Sequence, residues 1–471
     1  MHAPADCGTA HALATTTIDH DAATETDAFL FRLFAVAWGL AALFHTEYVF
    51  LFVHEPALAP KLSAAALTAA AVATCWRPTV GTLAALALAQ LIDVCVLLPA
   101  VPNHWLLAGL ANLALLLGWI RARQPATLMA VVRAPLMVSV TLFYLFTGMW
   151  KLNTDFFRPD VSCAVMSWER VLGFFRWLPD ALALRRGVIV GTLAMELLGP
   201  VLLLVPATRG AAVLALIGFH LVLGLDAVKR YLNFASVMFA LLLLFLPDAA
   251  VERLRRLVPP NAGRLPRLAS AGYLMLAVAG VAASGSPLYL VGRWFVWLAY
   301  AIALFVFVFL SVVGAPRPRR WLPAGAARSI AWLVPGLVML NGLAPILGLK
   351  TRTSWQMYSN VRLEPATSNH FLVPRSLDLV GAMQEPVTVV ESNGTQLRDV
   401  AGTALALPWI EFRRRVAAEP DAAVTWERSG ERHTTARVAD DPLLSRPLPL
   451  PVRKLMIFRP LGAGAEARCD W

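Results

Sequence analysis

Charged residues are scarce in this chain of 471 residues: 15% are Asp, Glu, Lys or Arg, whereas 58% of the residues are hydrophobic. A soluble domain of this length would carry about a quarter charged residues, so the composition favours the lipid bilayer as the solvent. The net charge of +11 does not predict a nucleic-acid partner, because Lys and Arg are spread over short loops and the C-terminal part without a dense basic stripe.

Cysteines are few, and they follow no CxxC pattern: Cys7, Cys75, Cys95, Cys163 and Cys469. Two of them lie inside apolar runs, so the spacing implies neither a metal site nor a disulfide framework. We therefore predict no metal, and the spacing leaves open whether Cys163 and Cys469 pair.

Basic residues are absent from the first 28 residues, which contain five acidic ones. A secretory signal begins with a basic region. Residues 1–28 are therefore predicted to form a disordered acidic tail on the cytoplasmic side and not a signal peptide.

Long apolar runs dominate the next three hundred residues and exclude most charge, as a helix surrounded by lipid must. They occur at residues 29–52, 62–76, 79–100, 104–120, 128–150, 187–206, 210–226, 230–247, 268–284, 294–314 and 328–349. Two runs, 62–76 and 210–226, are shorter than the roughly 20 residues of a full span and could be tilted or re-entrant. The sequence predicts an all-α polytopic transmembrane bundle of about 8–11 spans over residues 29–349.

Basic loops predict the orientation, because cytoplasmic loops carry an excess of Lys and Arg. The densest are Arg121 with Arg123, the arginines between 253 and 267, and those between 317 and 320. Counting spans from these loops places the N-terminus inside, and segments 151–186 and 350–471 outside. Arg185 and Arg186 in the first outer segment depart from this rule.

The composition changes after Leu349. Turn signals at Ser392-Asn393-Gly394 and Ser429-Gly430 are flanked by strand-like runs, so residues 350–471 are predicted to be a small β-rich extracytoplasmic domain. Its proline-rich stretch 442–451 reads as an irregular connection before a last strand at 454–458. Asn393-Gly394-Thr395 fits a glycosylation sequon, but we interpret Asn-Gly as a hairpin tip.

Ionisable side chains inside spans are costly to bury and are functional candidates by default. The candidates inside the apolar runs are His45, Glu47, Asp93, Glu196, His220 and Asp226, and those at helix ends are His104 and Lys151. The predicted topology places four of them on the outer side of the membrane, which suggests a polar cluster in the outer leaflet: His45, His104, Lys151 and His220. For Asp93 and Asp226 we expect packing or capping.

Lys151 has two interpretations. Lysines at helix ends commonly extend to the headgroups, and spacing alone favours that interpretation. Its surroundings favour a site, because Tyr144, Gly148 and Lys151 fall on one helix face at i, i+4 and i+7. The glycine would leave room beside the amine for a planar ligand. An amine removed from water loses affinity for its proton, so it can act as a base near neutral pH.

The other candidates are also open to two interpretations. His104 precedes Trp105, and a histidine beside an interfacial tryptophan is ordinary, whereas His220 lies about 9 Å from its helix end at 1.5 Å per residue. Glu196 lies near the middle of its span, where a carboxylate must be protonated or paired. A bridge between helices and a proton relay are equally open for it.

Several patches occur in the same order as in a known family. They are segment 144–156 (YLFTGMWKLNTDF), Asn103-His104, Phe219-His220, 196–200 (ELLGP), 355–360 (WQMYSN) and 368–370 (SNH). The chain resembles the vitamin K-dependent γ-carboxylase family and its bacterial relatives, the horizontally transferred transmembrane (HTTM) proteins, over about residues 29–314. The last two patches resemble those of the bacterial proteins in particular. This resemblance implies that the chain lies in the bacterial inner membrane and that its C-terminal domain is periplasmic.

The resemblance implies a reaction. Lys151 would deprotonate a reduced vitamin K or menaquinol-type naphthoquinone, with His104, His220, Tyr144 and Gly148 around the cofactor. O2 would convert the quinol into a strong alkoxide base, which removes a γ-proton from a glutamyl side chain of a protein or peptide so that CO2 adds. The family's paired lysines are Trp150-Lys151 here, and its large lumenal domain is replaced by about 120 residues. Substrate recognition is therefore not part of what the resemblance implies.

The sequence leaves two functions in competition. One is a quinol- and O2-dependent carboxylase- or oxygenase-like enzyme, and the other is a non-catalytic membrane protein that binds a lipid or quinone or scaffolds a partner. A transporter ranks last, because the two halves show no internal repeat.

Overall fold

The computed structural model describes residues 24–45, 58–173, 181–226, 231–259, 263–282, 287–316, 329–365, 367–462 and 469. These contain the helices α1 Thr24–His45, α2 Leu58–Trp76, α3 Val80–Leu97, α4 Asn103–Arg121, α5 Pro125–Met149, α6 Cys163–Leu172, α7 Leu182–Leu193, α8 Gly199–Leu204, α9 Arg209–Leu223, α10 Leu232–Leu243, α11 Asp248–Leu257, α12 Leu265–Ala282, α13 Pro287–Val312 and α14 Leu333–Leu343.

Each of the eleven predicted apolar runs contains a helix in its described part. Seven helices in this part of the chain are long and apolar enough to cross a bilayer, or eight if α10 and α11, bent by 110°, form one span. One of the seven is the continuous stretch Leu182–Leu204 formed by α7, a π-helical turn at Ala194–Leu198 and α8. The chain is an integral membrane helical bundle. α2 reaches 19 residues and is not short, because the helix begins before residue 62.

The first helix begins earlier than predicted. Residues 24–28 belong to α1 and not to the acidic tail, whose residues 1–23 lie outside the described part. Acidic side chains in a first turn stabilise a helix, and two of them also approach arginines: Glu25 lies 3.7 Å from Arg255, and Asp27 lies 3.7 Å from Arg133.

Arg133 explains the sharp bend between α10 and α11. Its guanidinium donates to the carbonyls of Leu244 and Leu246, at 2.8 and 2.6 Å, and lies 2.9 Å from the carboxylate of Asp248. These carbonyls lose their helical partners at the bend, and an unsatisfied carbonyl in an apolar medium is costly. Arg133 was not among the ionisable residues predicted to be functional within the spans.

The chain forms two compact units. Unit 1 comprises Met1–Val96, Ala108–Thr141 and Gly199–Pro335, and unit 2 comprises Leu97–Leu107, Leu142–Leu198 and Gly336–Trp471. Unit 2 thus contains the start of α4, the end of α5, α6 and α7 together with the C-terminal region. The predicted division into 29–349 and 350–471 marks the change from helix to sheet and otherwise stays a prediction.

A small antiparallel sheet forms the C-terminal part of unit 2. Its strands are β1 Val387–Ser392, β2 Leu405–Leu407, β3 Val424–Arg428, β4 Glu431–Thr435 and β5 Leu461–Gly462, in the order β4-β3-β1-β2-β5. Alternate side chains of β1 and β3 point inward with period two. They pack with α15, Trp409–Val416, in one apolar core that includes Val387, Val389, Phe412, Val424 and Trp426.

One of the two predicted turns is a hairpin. Ser429 and Gly430 connect β3 and β4 with positive φ angles of 52° and 83°, as a two-residue hairpin loop requires. The hairpin predicted at Asn393-Gly394 is wrong, because β1 continues into a 3-10 turn and Gly394 has φ −74°. A Cβ at Gly394 would collide with the carboxylate of Glu419, which accepts from the backbone of Thr395.

The last predicted strand is also wrong. Residues 450–455 form α17, Leu450–Leu455, and the last strand is β5 at 461–462. Pro451 lies in the first turn of α17, where its missing N–H costs nothing. The proline-rich stretch is not wholly irregular either, because α16, Pro442–Ser445, begins at an Asp441 cap that accepts from the backbone N–H of Leu443 at 2.8 Å.

Cys163 and Cys469 form a disulfide within unit 2, with Cα atoms 5.4 Å apart. The pair packs in an apolar cluster with Phe156, Ile189 and Leu193. The structure therefore answers the question that the spacing of the cysteines left open.

Replacing both Cys163 and Cys469 by Ser should lower the free energy of unfolding by about 2–5 kcal/mol, because the cross-link restricts the unfolded chain. Thermal unfolding of the detergent-solubilised protein, with and without reductant, measures this. Cys95→Ser, at an exposed cysteine outside the disulfide, is the control. A double variant as stable as the wild type would contradict the cross-link.

Candidate functional site

The side chain of Lys151 is buried and paired. Its Nζ lies 2.6 Å from Oε2 of Glu196, and the exposed fractions of the two side chains are 4% and 11%. The same Nζ donates to the carbonyls of Thr147, at 3.3 Å, and Met357, at 3.4 Å. The lysine therefore does not extend to the headgroups, as its position at a helix end would suggest, but points into unit 2.

Glu196 lies where its helix is locally irregular. The five residues Ala194–Leu198 form a π-helical turn between α7 and α8. A π turn inserts one residue into a helix, shifts the side chains that follow to a different face, and is frequent at functional sites. Glu196 is the acidic residue of this turn, and its carboxylate meets the amine of Lys151.

Gly148 allows the two helices to approach. A Cβ at this position would lie 2.7 Å from Cδ2 of Leu197 and 3.1 Å from the carbonyl carbon of Glu196. The space that we predicted for a planar ligand beside Gly148 is therefore filled by Leu197, which corrects that expectation. Tyr144, one turn earlier on the same helix, is buried and interacts electrostatically with Glu196.

Residues 353–360, here called the Trp355 loop, contribute the Met357 carbonyl. Four non-glycine residues of this loop have positive φ angles, between 50° and 63°: Thr353, Trp355, Tyr358 and Asn360. A left-handed conformation costs roughly 1–2 kcal/mol per residue, so the loop persists because its surroundings hold it. Trp355 is held at both ends, since its backbone N–H donates to the side chain of Asn103 and its indole N–H donates to the carbonyl of Val338, both at 2.9 Å.

Three asparagines connect the end of α5 to the C-terminal region. Asn153 donates to the carbonyl of Ser359 at 2.6 Å, and Asn360 accepts from the backbone N–H of Cys163 at 2.8 Å. Asn369 donates to Asp155 at 3.0 Å. An amide side chain both donates and accepts, so each asparagine can satisfy buried backbone groups in segments that have no regular secondary structure. All three asparagines lie in the patches that resemble the family, but no pattern in the sequence predicted that they form a network.

His370 is held in one tautomer. Its Nδ1 accepts from the backbone N–H groups of Leu372 and Val373, both at 3.1 Å, so the proton is on Nε2, which donates to the carbonyl of Met149 at 2.8 Å. The ring also packs edge-on against Trp150 with centroids 5.5 Å apart. His370 thus joins the last residue of α5 to the loop that follows Ser368.

The predicted histidines lie in different units. His104 is buried in the first turn of α4 within unit 2, the unit that contains Lys151. His220 is buried in α9 of unit 1, edge-on to Phe234 with centroids 4.8 Å apart. His45 is in unit 1 as well. The common outer-leaflet cavity for Lys151, His104 and His220 stays a prediction.

Asp93 packs as expected. It is buried in unit 1 and accepts from the hydroxyl of Ser63 at 2.8 Å. It therefore joins α2 to α3 and has no evident part in the chemistry of unit 2.

Unit 2 contains buried donors that could hold a ligand. Within the described residues, the Trp150 indole N–H, the Ser354 hydroxyl and the Gln356 amide nitrogen have no hydrogen-bond partner. A buried polar group without a partner is costly, and all three can donate to an oxygen of a bound molecule. The described residues include no group of three or more His, Cys, Asp or Glu that could hold a metal ion.

Comparisons of the chain with models of protein families, with curated proteins and with solved structures give no match. The family resemblance therefore depends on the ordered patches of sequence alone. The chemistry available to the site has to be inferred from the buried amine, the carboxylate and the amides around them.

Glu196→Gln should destabilise the protein by about 3–5 kcal/mol, because it leaves the charge of Lys151 buried without a partner. The double variant Lys151→Met/Glu196→Gln should be less destabilised than Glu196→Gln alone. Denaturant unfolding in detergent measures both. Glu169→Gln is the control, since Glu169 forms a partly exposed pair with Arg185, and such pairs contribute about 0–1 kcal/mol. Strictly additive effects would contradict a direct pair.

Burial lowers the pKa of His370 below its ordinary value of 6.5. The native state therefore binds this proton less readily than the unfolded chain does. The contribution to stability is full above pH 6.5 and is lost as the pH falls toward the native pKa. Unfolding measured from neutral to acidic pH should show this loss, and His370→Gln should reduce the slope. An unchanged slope in the variant would show that His370 stays neutral or does not contribute.

Proposed function

We propose that the chain is a membrane enzyme of the vitamin K-dependent γ-carboxylase type, a quinol- and O2-dependent carboxylase or oxygenase in which Lys151 is the base. The observation that carries this proposal is the buried pair of Lys151 and Glu196 at 2.6 Å. A base that acts on a lipid-soluble substrate has to lie in an apolar environment, and a buried amine beside a carboxylate meets that requirement.

Proton transfer within the pair of Lys151 and Glu196 can produce the neutral amine that acts as a base. An ammonium ion and a carboxylate each cost more to keep away from water than a neutral amine and a carboxylic acid do, so the charged and neutral forms of a buried pair are close in free energy. Transfer of one proton from Nζ of Lys151 to Oε2 of Glu196 converts the charged pair into the neutral pair. Glu196 is then the proton relay, and the free lone pair of Lys151 can accept a proton from a hydroxyl group.

Two backbone carbonyls keep the amine in place during this transfer. Thr147 and Met357 accept from Nζ, so the two hydrogens that remain on a neutral amine still have acceptors. Because Met357 belongs to the strained Trp355 loop, the position of that carbonyl depends on the bonds that hold the loop. The rigid surroundings therefore orient the lone pair of Lys151.

Three buried donors of unit 2 are available to the oxygens of a bound ring. Buried donors on Trp150, Ser354 and Gln356 have no partner within the described residues and could hold ring oxygens. The reduced naphthoquinone supplies, with O2, the strong base that carboxylation of a glutamyl side chain requires. His104 belongs to the same unit, and we assign it to the pocket by the family resemblance, together with Tyr144.

A non-catalytic function is the second candidate. Lys151 forms an ion pair with Glu196 and donates to the carbonyls of Thr147 and Met357, so three acceptors surround its amine. A residue that only bridges helices would be satisfied in the same way. The chain would then bind a lipid or quinone, or scaffold a partner, without chemistry.

The disulfide supports the predicted orientation. We assign the chain to a bacterial inner membrane, with a cytoplasmic N-terminus and a periplasmic C-terminal domain that would meet the protein or peptide substrate. Disulfides persist in the periplasm and not in the cytosol. Cys163 and Cys469 lie in the two segments that the basic loops place on the outer side.

Wild-type protein in nanodiscs should convert a reduced naphthoquinone and O2 to the epoxide, and should add labelled CO2 to a glutamyl peptide. Lys151→Ala should lower the rate of epoxide formation by about 10²–10⁴-fold, as expected for the loss of a general base. Lys151→Arg should keep the ion pair and the stability but lose the activity, because a guanidinium does not release its proton. Lys61→Ala, at an exposed lysine, is the control.

The variants separate the two candidates. If the wild type binds quinol without forming epoxide, the non-catalytic function is correct. If Lys151→Arg is as active as the wild type, Lys151 is not the base, whatever the reaction is.

A further inference from the structure

Residues 371–380, which follow His370, expose apolar side chains. Five of them have exposed fractions between 52% and 67%: Phe371, Leu372, Leu377, Leu379 and Val380. Phe157, itself 42% exposed, extends this surface, since its ring centroid lies 5.6 Å from that of Phe371. We call residues 371–380 the inverted segment.

Ser376 and Asp378, two polar residues of the inverted segment, point inward. Ser376 is buried and donates to the carbonyl of Pro345 at 3.1 Å, and Asp378 is buried and accepts from the backbone N–H of Met383 at 3.3 Å. Leu377 and Leu379 alternate with them and point outward. A segment in contact with water buries its leucines and exposes its carboxylates. Exposed leucines that alternate with a buried serine and a buried aspartate are the reverse of that pattern.

Backbone bonds place the segment beside the ends of two apolar helices of the bundle. The N–H of Phe371 donates to the carbonyl of Leu152 at 2.9 Å, three residues after α5 ends. The N–H of Leu377 donates to the carbonyl of Ile346 at 2.8 Å, three residues after α14 ends. Three residues correspond to about 5 Å of helix, so the segment lies close to the level at which these helices end.

We propose that the inverted segment is embedded in the bilayer, with its apolar side chains among the lipid acyl chains at the headgroup boundary. Elements that lie in the membrane plane bury their apolar side roughly 5–10 Å deep, which fits the distance from the helix ends. The exposed Arg375 in its centre can extend to the phosphates. The partner of this surface is therefore lipid, and not a soluble protein.

The segment also continues the chain that holds the Lys151 site. Asn369 and His370 immediately precede it and bind Asp155 and the end of α5. Lipid contact at residues 371–380 would thus hold the C-terminal region of unit 2 to the membrane beside the last turn of α5. This assignment does not depend on the proposed reaction.

Spin labels test the assignment in the full chain in nanodiscs of phosphatidylcholine and phosphatidylglycerol. Single cysteines replace Leu377 or Leu379 in a background of Cys7→Ala, Cys75→Ala and Cys95→Ala, with the disulfide retained. Leu443→Cys is the matched control, because Leu443 is also an exposed leucine, 52% exposed, but lies beside the core of the sheet. Labels at 377 and 379 should show a several-fold higher ratio of collisions with O2 to collisions with a water-soluble nickel chelate than the label at 443.

Three outcomes would overturn the proposal. Labels at 377 and 379 that meet nickel as often as the label at 443 would place the segment in water. Labels that meet nickel until a glutamyl peptide is added would make the segment a peptide surface. Labels shielded from both O2 and nickel would show that a second copy of the chain covers it.

Discussion

An ammonium group and a carboxylate buried in the same apolar surroundings have to be in contact, since each alone costs several kcal/mol in such a medium. The pair of Lys151 and Glu196 meets this constraint at 2.6 Å, and the local structure follows from it. The π-helical turn presents the carboxylate, and Gly148 lets the backbone of that turn come within contact distance of α5. Any side chain larger than a hydrogen at position 148 would separate the charges.

The Trp355 loop completes the same arrangement from the C-terminal region. Its left-handed residues are unfavourable by themselves, and the loop is held because asparagines, an indole and the disulfide attach it at many points. A carbonyl held in this way has a well-defined position. Buried polar groups that all have hydrogen-bond partners specify one conformation more sharply than apolar contacts do. A residue that donates and accepts protons needs such a fixed position.

Much of the fold could be predicted from the sequence, because apolar runs and turn chemistry are local signals. The helices of the bundle, strands β1 and β3 and the hairpin at Ser429-Gly430 are of this kind. The partner of Lys151 could not be predicted, since Glu196 lies 45 positions away and both a bridge and a relay were consistent with it. Nothing in the sequence around Gly148 distinguishes a glycine that leaves space for a ligand from one that lets a neighbouring helix approach. The hairpin predicted at Asn393-Gly394 is wrong for a similar reason, because a long-range contact with Glu419 overrides the turn preference.

The disulfide has a consequence for the order of events during synthesis. Cys469 follows Cys163 by 306 residues, which takes about 15–60 s to translate at roughly 5–20 residues per second. The segments that contain Lys151 and Glu196 are thus inserted well before the Trp355 loop and Cys469 have been synthesised. For that interval the amine lacks the carbonyl of Met357, and the nascent site is open on that side. The disulfide can form only after Cys163 and Cys469 have reached the same side of the membrane, so it requires that the spans between them have been inserted in the correct number.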